Sequence, residues 1–483
     1  MIRKAIDKYH KLSPQVKASA WFAACSVLQK GISTITVPIF TRLMTDEQYG
    51  TFTLYNTWSN LLTIVTSLYL FNGVLNNAMV KYEDDRDRYI ASMQGLTILM
   101  TTVVFVIYVV TQGVWYRVIN LAPVYMIIMF IEMLFAPALS YWSGKQRFEY
   151  KYVKLVIVTV IKSVLNPVVG LIAVYYSVEK DLARIISIVA VEVVICGIIM
   201  VYQFVRGKVF FVKEYWKYAL KLGFPLLPHY LSGMILNRGD TVVIEHLVGR
   251  SKVAYYGVAY NIGFLVQLFT NAIGNAFIPW MYQKIKGKDY AKIGKTVNIL
   301  LLFVSAIAFG VMLLAPEAIW IFGDSGYASA VYVVPPVAAS VFFIFLYNLL
   351  AVPQFYYEKT NYMLFASIAA ALVNIVLNFI FIDKFGYVAA GYTTLVCYVF
   401  YSFGHFIISK SILKEKIGEN AGVMFDTKVL FLLSIMIIGI GITCNFLFPF
   451  WYIRYGIILI GLILCIIYRK KLIKFFIDIK AKK

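Results

Sequence analysis

Three basic residues, Lys30, Lys162 and Arg238, lie inside stretches of sequence that are otherwise apolar. A charged side chain near the middle of a membrane-spanning helix costs about 2.5–3.5 kcal/mol on insertion scales, so residues of this kind need a reason to be there. Ammonium and guanidinium groups can replace the hydration of a phosphate, and guanidinium can do so with two parallel hydrogen bonds. The three residues therefore predict a cationic site for an anionic substrate within the membrane.

Lys162 also has a structural interpretation. It lies at a depth in the membrane similar to that of Glu132. An ion pair between neighbouring helices would neutralise both side chains, and Glu192 is a further possible partner. The sequence leaves open whether Lys162 is a substrate ligand or the partner of an acid.

Arg238 and Lys30 are the preferred pair of substrate ligands. Arg238 stands two residues before Asp240. That separation places the two side chains on different faces of a regular helix, so they would not neutralise each other. Lys30 has no acid in its own apolar stretch, and its alternative is to extend toward the membrane interface.

Buried acids and a histidine are candidates for coupling to a proton or a cation, because desolvation makes an acid hold its proton more readily. Ion pairs between neighbouring helices would explain the presence of these acidic residues equally well. The candidates are Asp240, Glu132, Glu192 and His229.

The composition indicates a membrane protein. Of the 483 residues 61% are hydrophobic and only 14% are charged, which excludes an ordinary soluble domain. Hydropathy predicts an all-α polytopic membrane protein with about fourteen transmembrane helices, most of them near 20 residues long. We place these spans at 16–40, 51–73, 91–112, 121–142, 153–176, 181–204, 219–246, 254–282, 291–315, 328–356, 361–382, 386–409, 429–449 and 451–468.

The distribution of basic residues predicts the orientation. Most of the 45 lysines and arginines fall in alternate loops, and such loops face the cytoplasm. We therefore predict a multi-pass protein of the cell membrane with both termini cytoplasmic. The basic residues that give the net charge of +21 would then contact membrane lipids. We do not expect nucleic acid as a partner.

An internal sequence similarity predicts two lobes. Residues 48–52 after the first span resemble residues 255–259 after the seventh, and the same offset carries Lys30 onto Asn237, next to Arg238. Repeats of about six spans in the same orientation are a known transporter plan with the substrate site between them. We expect two six-helix lobes around a central cavity. The predicted divisions are 1–208 for the N-lobe, 209–417 for the C-lobe, and 418–483 for two C-terminal helices and a basic cytoplasmic tail.

Proline and glycine mark candidate hinges for opening and closing such lobes. Proline removes a backbone hydrogen bond and permits a kink, although a static kink needed for packing is as good an explanation. The candidates are Pro38, Gly223, Pro225, Pro228, Pro335 and Pro336.

Neither ATP nor a cofactor is expected. The segment Gly294-Lys295-Thr296 lacks the earlier glycine of a phosphate-binding loop, since Asp289 stands there. The five cysteines are scattered through apolar segments, so we predict neither a metal site nor a disulfide framework. Energy for transport would come from an ion gradient or from consumption of the product.

Four segments carry a family resemblance. They are residues 37–50 (VPIFTRLMTDEQYG), 237–244 (NRGDTVVI) with 256–260 (YGVAY), 374–378 (NIVLN), and 385–394 (FGYVAAGYTT). The chain resembles the Wzx-like polysaccharide flippases of the multidrug/oligosaccharidyl-lipid/polysaccharide exporter superfamily. The resemblance implies lobes that open alternately to each side of the membrane, and a polyprenyl-pyrophosphate-linked oligosaccharide as cargo. In one departure, Thr241 follows Asp240 where many relatives have arginine.

The resemblance also frames the alternatives. A flippase would move its cargo from the cytoplasmic to the outer leaflet for surface polysaccharide assembly, alongside a polysaccharide polymerase and chain-length machinery. A cation-coupled multidrug antiporter of the same superfamily is the first alternative, and the three stranded cations disfavour it. A membrane enzyme such as a polymerase or ligase is less favoured, because the predicted external loops are short. The chain is therefore expected to be a transporter and not an enzyme.

Overall fold

The computed structural model describes residues 14–359 and 361–480, and every regular element in them is helical. The helices of the first half are α1 (Pro14–Leu43), α2 (Asp46–Ser67), α3 (Leu70–Gly73), α4 (Leu75–Lys81), α5 (Arg86–Val110), α6 (Gln112–Ile119), α7 (Pro123–Phe148), α8 (Tyr152–Tyr176), α9 (Lys180–Gly207) and α10 (Lys213–Gly223). Those that follow are α11 (Leu227–Leu247), α12 (Arg250–Gly263), α13 (Val266–Lys286), α14 (Tyr290–Leu313), α15 (Ala315–Gly323), α16 (Val334–Tyr356), α17 (Asn361–Phe385), α18 (Val388–Ile417), α19 (Asn420–Met424), α20 (Thr427–Leu447) and α21 (Trp451–Lys480). Short 3-10 turns precede α11 and α16 at Phe224–Leu226 and Ala328–Val333.

The described helices make this a multi-pass membrane protein. Within residues 14–359 and 361–480, nine are long and apolar enough to cross a membrane, or ten if α12 and α13, bent by 42°, form one span. Each predicted span overlaps at least one helix. The more polar α1 and α11 fall outside that set, and they carry Lys30 and Arg238. The predicted termini, residues 1–13 and 481–483, lie outside the described residues.

The second predicted span is interrupted. Helix α2 starts with reciprocal hydrogen bonds between Thr45 and Gln48, a capping box that satisfies two free backbone N–H groups. It ends at Ser67 because Leu68 and Tyr69 adopt left-handed φ angles of 48° and 49°. Two short helices, α3 and α4, complete the span. The predicted span 51–73 is therefore a helix that is broken at Leu68 and Tyr69.

The chain divides into two compact units, Met1–Met234 and Ile235–Lys483. This division falls inside α11, later than the predicted end of the N-lobe at residue 208. The assignment of lobes to 1–208 and 209–417 stays a prediction.

Each unit is organised around one helix. In the first unit, α9 packs against α5, α7 and α8, and α1 packs on α8. In the second, α16 packs against α14 and α18, and α17 packs on α18. Helix α16 is buried on almost every side, from Val334 through Leu346, whereas only four residues of α8 are buried. The apolar core of the second unit therefore forms around α16.

The predicted hinge residues occupy three places. Pro38 lies inside α1, and Pro335 and Pro336 lie in the first turn of α16, where a 3-10 turn leads into the helix. The remaining three mark the junction of α10 and α11, namely Gly223, Pro225 and Pro228. Hinge motion at these residues stays a prediction.

Gly223 has a packing role at this junction. Its backbone is helical, with φ −78° and ψ −42°, so no special conformation requires glycine there. A Cβ at this position would instead collide with the Leu70 side chain of α3. Glycine therefore allows α10 and α3 to approach closely.

Candidate transport site

Lys162 is ion-paired inside the first unit. Its Nζ, on α8, lies 2.6 Å from Oε1 of Glu192 on α9, and their side chains are only 20% and 11% exposed. The pairing expected with Glu132 is thus made with Glu192. The depth of a residue in the membrane does not specify the face of the helix that carries it, so sequence alone could not choose between the two acids.

Glu132, on α7, is held by hydroxyl groups. Tyr55 donates to its Oε2 at 2.7 Å and Ser59 donates to the same atom at 3.1 Å, both from α2. Tyr55 and Ser59 are themselves buried. With the Lys162–Glu192 pair nearby, ionisation of Glu132 would give this cluster one more negative charge than positive.

Asp240, on α11, is completely buried in the second unit. Its Oδ2 accepts hydrogen bonds from the Tyr256 hydroxyl of α12 and, at 3.0 Å, from Oγ1 of Thr394 on α18. Its Oδ1 accepts the backbone N–H of Thr241 at 3.2 Å. These donors are neutral, so they stabilise a carboxylate without cancelling its charge.

A second layer of buried amides lies in the same unit. Asn378 donates through Nδ2 to Oδ1 of Asn374 at 3.0 Å, one helical turn away on α17. Thr393 of α18 donates to Oδ1 of Asn378. A Cβ placed on Gly239 would lie 4.0 Å from Oδ1 of Asn374, so the layer adjoins α11 beside Asp240.

This arrangement offers oxygen atoms of the kind that hard cations prefer. Within residues 14–359 and 361–480, no group of three or more His, Cys, Asp or Glu side chains could hold a metal ion. A cation at Asp240 would therefore be bound by one carboxylate together with amide and hydroxyl oxygens. A proton on Asp240 would satisfy the same need for charge compensation.

Arg238 contacts a different set of partners from Asp240. Its guanidinium carbon lies 4.7 Å from the centre of the buried Tyr260 ring, a cation–π contact. The neighbouring Asn237 accepts a hydrogen bond from the Tyr398 hydroxyl at 2.7 Å. The two charged residues therefore make different direct contacts, although the charge of Arg238 still acts on Asp240 and both charges act on Tyr260.

Lys30 and His229 are both half-buried. Lys30 lies on α1, where its carbonyl accepts a hydrogen bond from Ser33 at 2.9 Å. The His229 ring lies beside that of Tyr230, with centroids 5.8 Å apart. Lys30 belongs to the first unit and Arg238 to the second, and their roles in binding substrate stay predictions.

The sequence reasoning missed a buried arginine in the first unit. Arg184 of α9 donates to the carbonyl and to Oδ1 of Asn166 on α8, at 3.2 and 3.0 Å. Its guanidinium carbon also lies 4.2 Å from the centre of the Phe40 ring of α1. It was overlooked because it stands at the start of a predicted span, where a basic residue is normally solvated.

The sequence reasoning also missed a second arginine, which joins the last helix to α15. Arg454 of α21 is buried and binds both carboxylate oxygens of Glu317 on α15, at 2.7 and 2.8 Å. It also donates to the Leu313 carbonyl at 2.6 Å. Burial acts to raise the pKa of Glu317, but hydrogen bonds from Arg454, from its own backbone N–H and from Tyr455, together with the charge of Arg454, outweigh this and hold that pKa below the usual value.

Two family models match the chain. The model described as polysaccharide biosynthesis protein matches residues 16–284. The MatE model matches residues 225–380, a range that contains Asp240 and the buried amides of α17.

Known proteins resemble the chain over most of its length. An uncharacterized membrane protein of Haemophilus influenzae is 20% identical over 371 residues, which cover 74% of this chain and 88% of that protein. The solved structure of the lipid II flippase MurJ in an inward closed conformation matches with a TM-score of 0.65 and 14% identity, covering 92% of this chain and 99% of that one. An inward-facing multidrug resistance MATE family transporter of the MOP superfamily matches with a TM-score of 0.61 and 14% identity, over 80% of this chain and 96% of that chain.

These matches confirm the family resemblance and the fold class. The likeness to the two solved structures establishes a shared fold of polytopic membrane transporters. The model that matches residues 16–284 covers more than half of the chain. The chain belongs to the polysaccharide biosynthesis protein family.

Proposed function

We propose that this protein is a flippase that moves a polyprenyl-pyrophosphate-linked oligosaccharide from the cytoplasmic to the outer leaflet of the cell membrane. The observation that carries the proposal is the match of residues 16–284 to the polysaccharide biosynthesis family. The fold shared with a lipid II flippase over 92% of this chain supports it. The oligosaccharide would be passed on to a polysaccharide polymerase and its chain-length machinery.

The substrate presents a problem of charge. A pyrophosphate is strongly hydrated in water, and hydrocarbon offers nothing to replace that hydration. Arg238 could replace it with two parallel hydrogen bonds, and Lys30 could do so as a point charge. Arg238 is half-buried, and its guanidinium carbon lies over the Tyr260 ring, a contact that restrains the position of the guanidinium.

Lys162 has a weaker case as a substrate ligand. Its ammonium group is 2.6 Å from Glu192. A pyrophosphate would have to displace that carboxylate and leave Glu192 without its cation. We therefore keep Lys30 and Arg238 as the proposed ligands and assign Lys162 to the stability of the first unit.

Asp240 is the proposed coupling site. An ionised carboxylate that is fully buried among neutral donors favours uptake of a proton or a small cation. Release of that charge would alter the preferred packing of α11 against α12 and α18. Transport driven by an ion gradient needs a group of this kind, since a ligand shifts a conformational equilibrium only through different affinities for the two states.

The proposal can be tested with the purified protein in vesicles. Proteoliposomes would carry a fluorescent polyprenyl-pyrophosphate sugar, and flipping would be followed by loss of access to a membrane-impermeant quencher. We expect R238A and K30A to lose flipping while the protein remains folded. The matched control is K286A, which removes an exposed lysine at the end of α13. Flipping at the parent rate by the K30A/R238A double variant would contradict the ligand assignment.

A cation-coupled multidrug antiporter is the second candidate function. The MatE match over residues 225–380 favours it, because this range includes Asp240. An antiporter would expel a cationic dye from vesicles when a pH or sodium gradient is applied. Gradient-driven dye transport without any flipping of the lipid-linked sugar would assign the protein to this function and exclude the first.

A further inference from the structure

A short amphipathic helix, α10, lies between the last long helix of the first unit and α11. Its buried residues, Tyr215, Ala219 and Gly223, recur every four positions. Its lysines follow the same period on another face, and Lys217 and Lys221 are exposed. Spacing of this kind is typical of a helix that lies at an interface with one face anchored.

The helix is fixed to the unit by polar contacts. Trp216 donates through its indole N–H to the Ser92 carbonyl of α5 at 2.9 Å, and the Val212 N–H is bonded to the Ser92 hydroxyl at 3.1 Å. The Tyr215 hydroxyl donates to Asp85 at 3.0 Å. Burial and this contact with Asp85 raise the pKa of Tyr215 to about 12, so the tyrosine keeps its donor proton. The lysine-bearing face is therefore held in a fixed position.

Helix α10 and the end of α4 enclose a cleft of about 360 Å³. Lys81, Lys217, Lys221 and Glu214 line its polar side, and Tyr82 and Tyr218 form an aromatic wall. The Lys81 Nζ lies 4.2 Å from the centre of the Tyr218 ring and 5.1 Å from that of Tyr82. Tyr82 is itself stacked on Tyr89, so the wall is anchored to the aromatic core of the unit.

The charges of the cleft are not balanced. Three ammonium groups face a single carboxylate, that of Glu214. None of the three lysines takes part in an ion pair with the residues that the structure describes. Lys217 and Lys221 also stand four residues apart on one helix, a spacing at which like charges repel. An anion in the cleft would relieve this repulsion.

The surroundings of the cleft are apolar. Leu222 lines one edge, and Phe224 and Leu226 of the following 3-10 turn are exposed. Phe210 and Phe211, just before α10, are exposed as well. A cleft lined by ammonium groups, on a segment of chain that also exposes aromatic and aliphatic side chains, matches a lipid with an anionic headgroup, since both ends of such a molecule find complementary surface.

We propose that Lys81, Lys217 and Lys221 bind the phosphate of an anionic phospholipid of the cytoplasmic leaflet, with Glu214 accepting a hydrogen bond from a headgroup hydroxyl. This site is separate from the proposed substrate ligands Lys30 and Arg238. Helix α10 leads through one 3-10 turn into α11, which carries Arg238 and Asp240. The bound lipid would thus restrain the position of α10, from which the chain continues into α11.

The test uses the full chain in vesicles of phosphatidylcholine that contain a small fraction of photoactivatable phosphatidylglycerol. After illumination, mass spectrometry would locate the crosslinked peptides. We expect crosslinks to peptides that contain Lys81 and residues 213–223. Unlabelled phosphatidylglycerol should remove them, whereas an equal amount of unlabelled phosphatidylcholine should leave them.

The decisive variant is K81Q/K217Q/K221Q, in which labelling should fall to the level given by a photoactivatable phosphatidylcholine. The control K286Q/K295Q/K428Q removes the same charge from three exposed lysines elsewhere and should retain the crosslinks. Equal labelling of the two triple variants would overturn the proposal. Displacement by polyprenyl pyrophosphate but not by phosphatidylglycerol would also overturn it, and would assign the cleft to the transported lipid.

Discussion

In the first unit a buried lysine is matched by a carboxylate, whereas in the second a buried carboxylate is matched by two hydroxyl groups and a backbone N–H. Lys162 and Glu192 together add no net charge to α8 and α9. Asp240 receives hydrogen bonds from Tyr256, Thr394 and a backbone N–H. The first arrangement pairs two opposite charges directly, whereas the second joins a carboxylate to neutral donors, with the charge of Arg238 acting on it from the same helix. From this comparison we propose a structural role for the pair and a coupling role for Asp240.

The strongest test of this comparison is removal of Lys162. K162M leaves Glu192 buried without its cation, and the loss of one partner of a buried pair costs about 3–5 kcal/mol. We expect a correspondingly lower unfolding midpoint in detergent. The double variant K162M/E192M should recover most of the lost stability, since it removes both charges together. If the double variant is as unstable as K162M, the pair is not the source of the effect.

Removal of the charge on Asp240 should have a smaller effect on stability and a larger one on function. D240N keeps the size of the side chain, but its amide nitrogen takes the place of one carboxylate oxygen and cannot accept the hydrogen bonds made there. We expect this loss to lower the free energy of unfolding by about 1–3 kcal/mol. A ligand that binds only the folded protein raises its stability, so the parent should gain thermal stability from the coupling ion or at low pH. D240N should lose this gain and lose gradient-driven transport. A D240N protein that still responds to the ion would assign coupling to another residue.

Removing one hydroxyl donor from each unit should have a smaller effect on stability and compares the two carboxylates directly. T394V removes a donor to Asp240, and S59A removes a donor to Glu132. Each should cost about 0.5–1.5 kcal/mol of stability, the usual net value of one hydrogen bond. We expect T394V to alter ion dependence in vesicles and S59A to leave it unchanged. A shift in S59A alone would point to Glu132 as the coupling group.

The smallest expected effect concerns the ion pair of Glu317 with Arg454. Because the pKa of Glu317 is lowered in the folded protein, its stabilising contribution is present above the pKa of the unfolded chain. That contribution is lost as the pH falls through the folded pKa. The unfolding midpoint of the parent should therefore drop more steeply in acid than that of E317Q. Parallel pH profiles for the two proteins would contradict a stabilising role for this pair.

The fold class and the candidate charges were accessible from sequence because both follow from hydropathy. An apolar run of sufficient length predicts a helix, and a charge within it is conspicuous. Lys162 shows the limit of this reasoning, since two acids lay at similar depth and only helix rotation distinguishes Glu192 from Glu132. Arg184 and Arg454 show a second limit, because a basic residue at the end of a span is ordinarily solvated.

The neutral donors could not have been identified from sequence. Tyrosine occurs 36 times in the chain, so no pattern separates Tyr55 and Tyr256 from the tyrosines of the membrane interface. Their role depends on tertiary contacts between helices distant in the sequence. The resemblance of residues 374–378 and 385–394 to a family indicated the segments that carry Asn374, Asn378 and Thr394, but not the bonds they make.

The contrast between α8 and α16 decides where motion in this protein can be observed with attached labels. Helix α16 is enclosed on almost every side, so a spin label or fluorophore attached there would disrupt the packing it was meant to report. Helix α8 exposes Ile157, Ile161 and Ile172, which accept a label without disturbing a core. Paired labels on α8 and on the exposed side of α17, at Val376, would report distance changes during turnover. Spectroscopy of the working protein should therefore begin at its least buried helices.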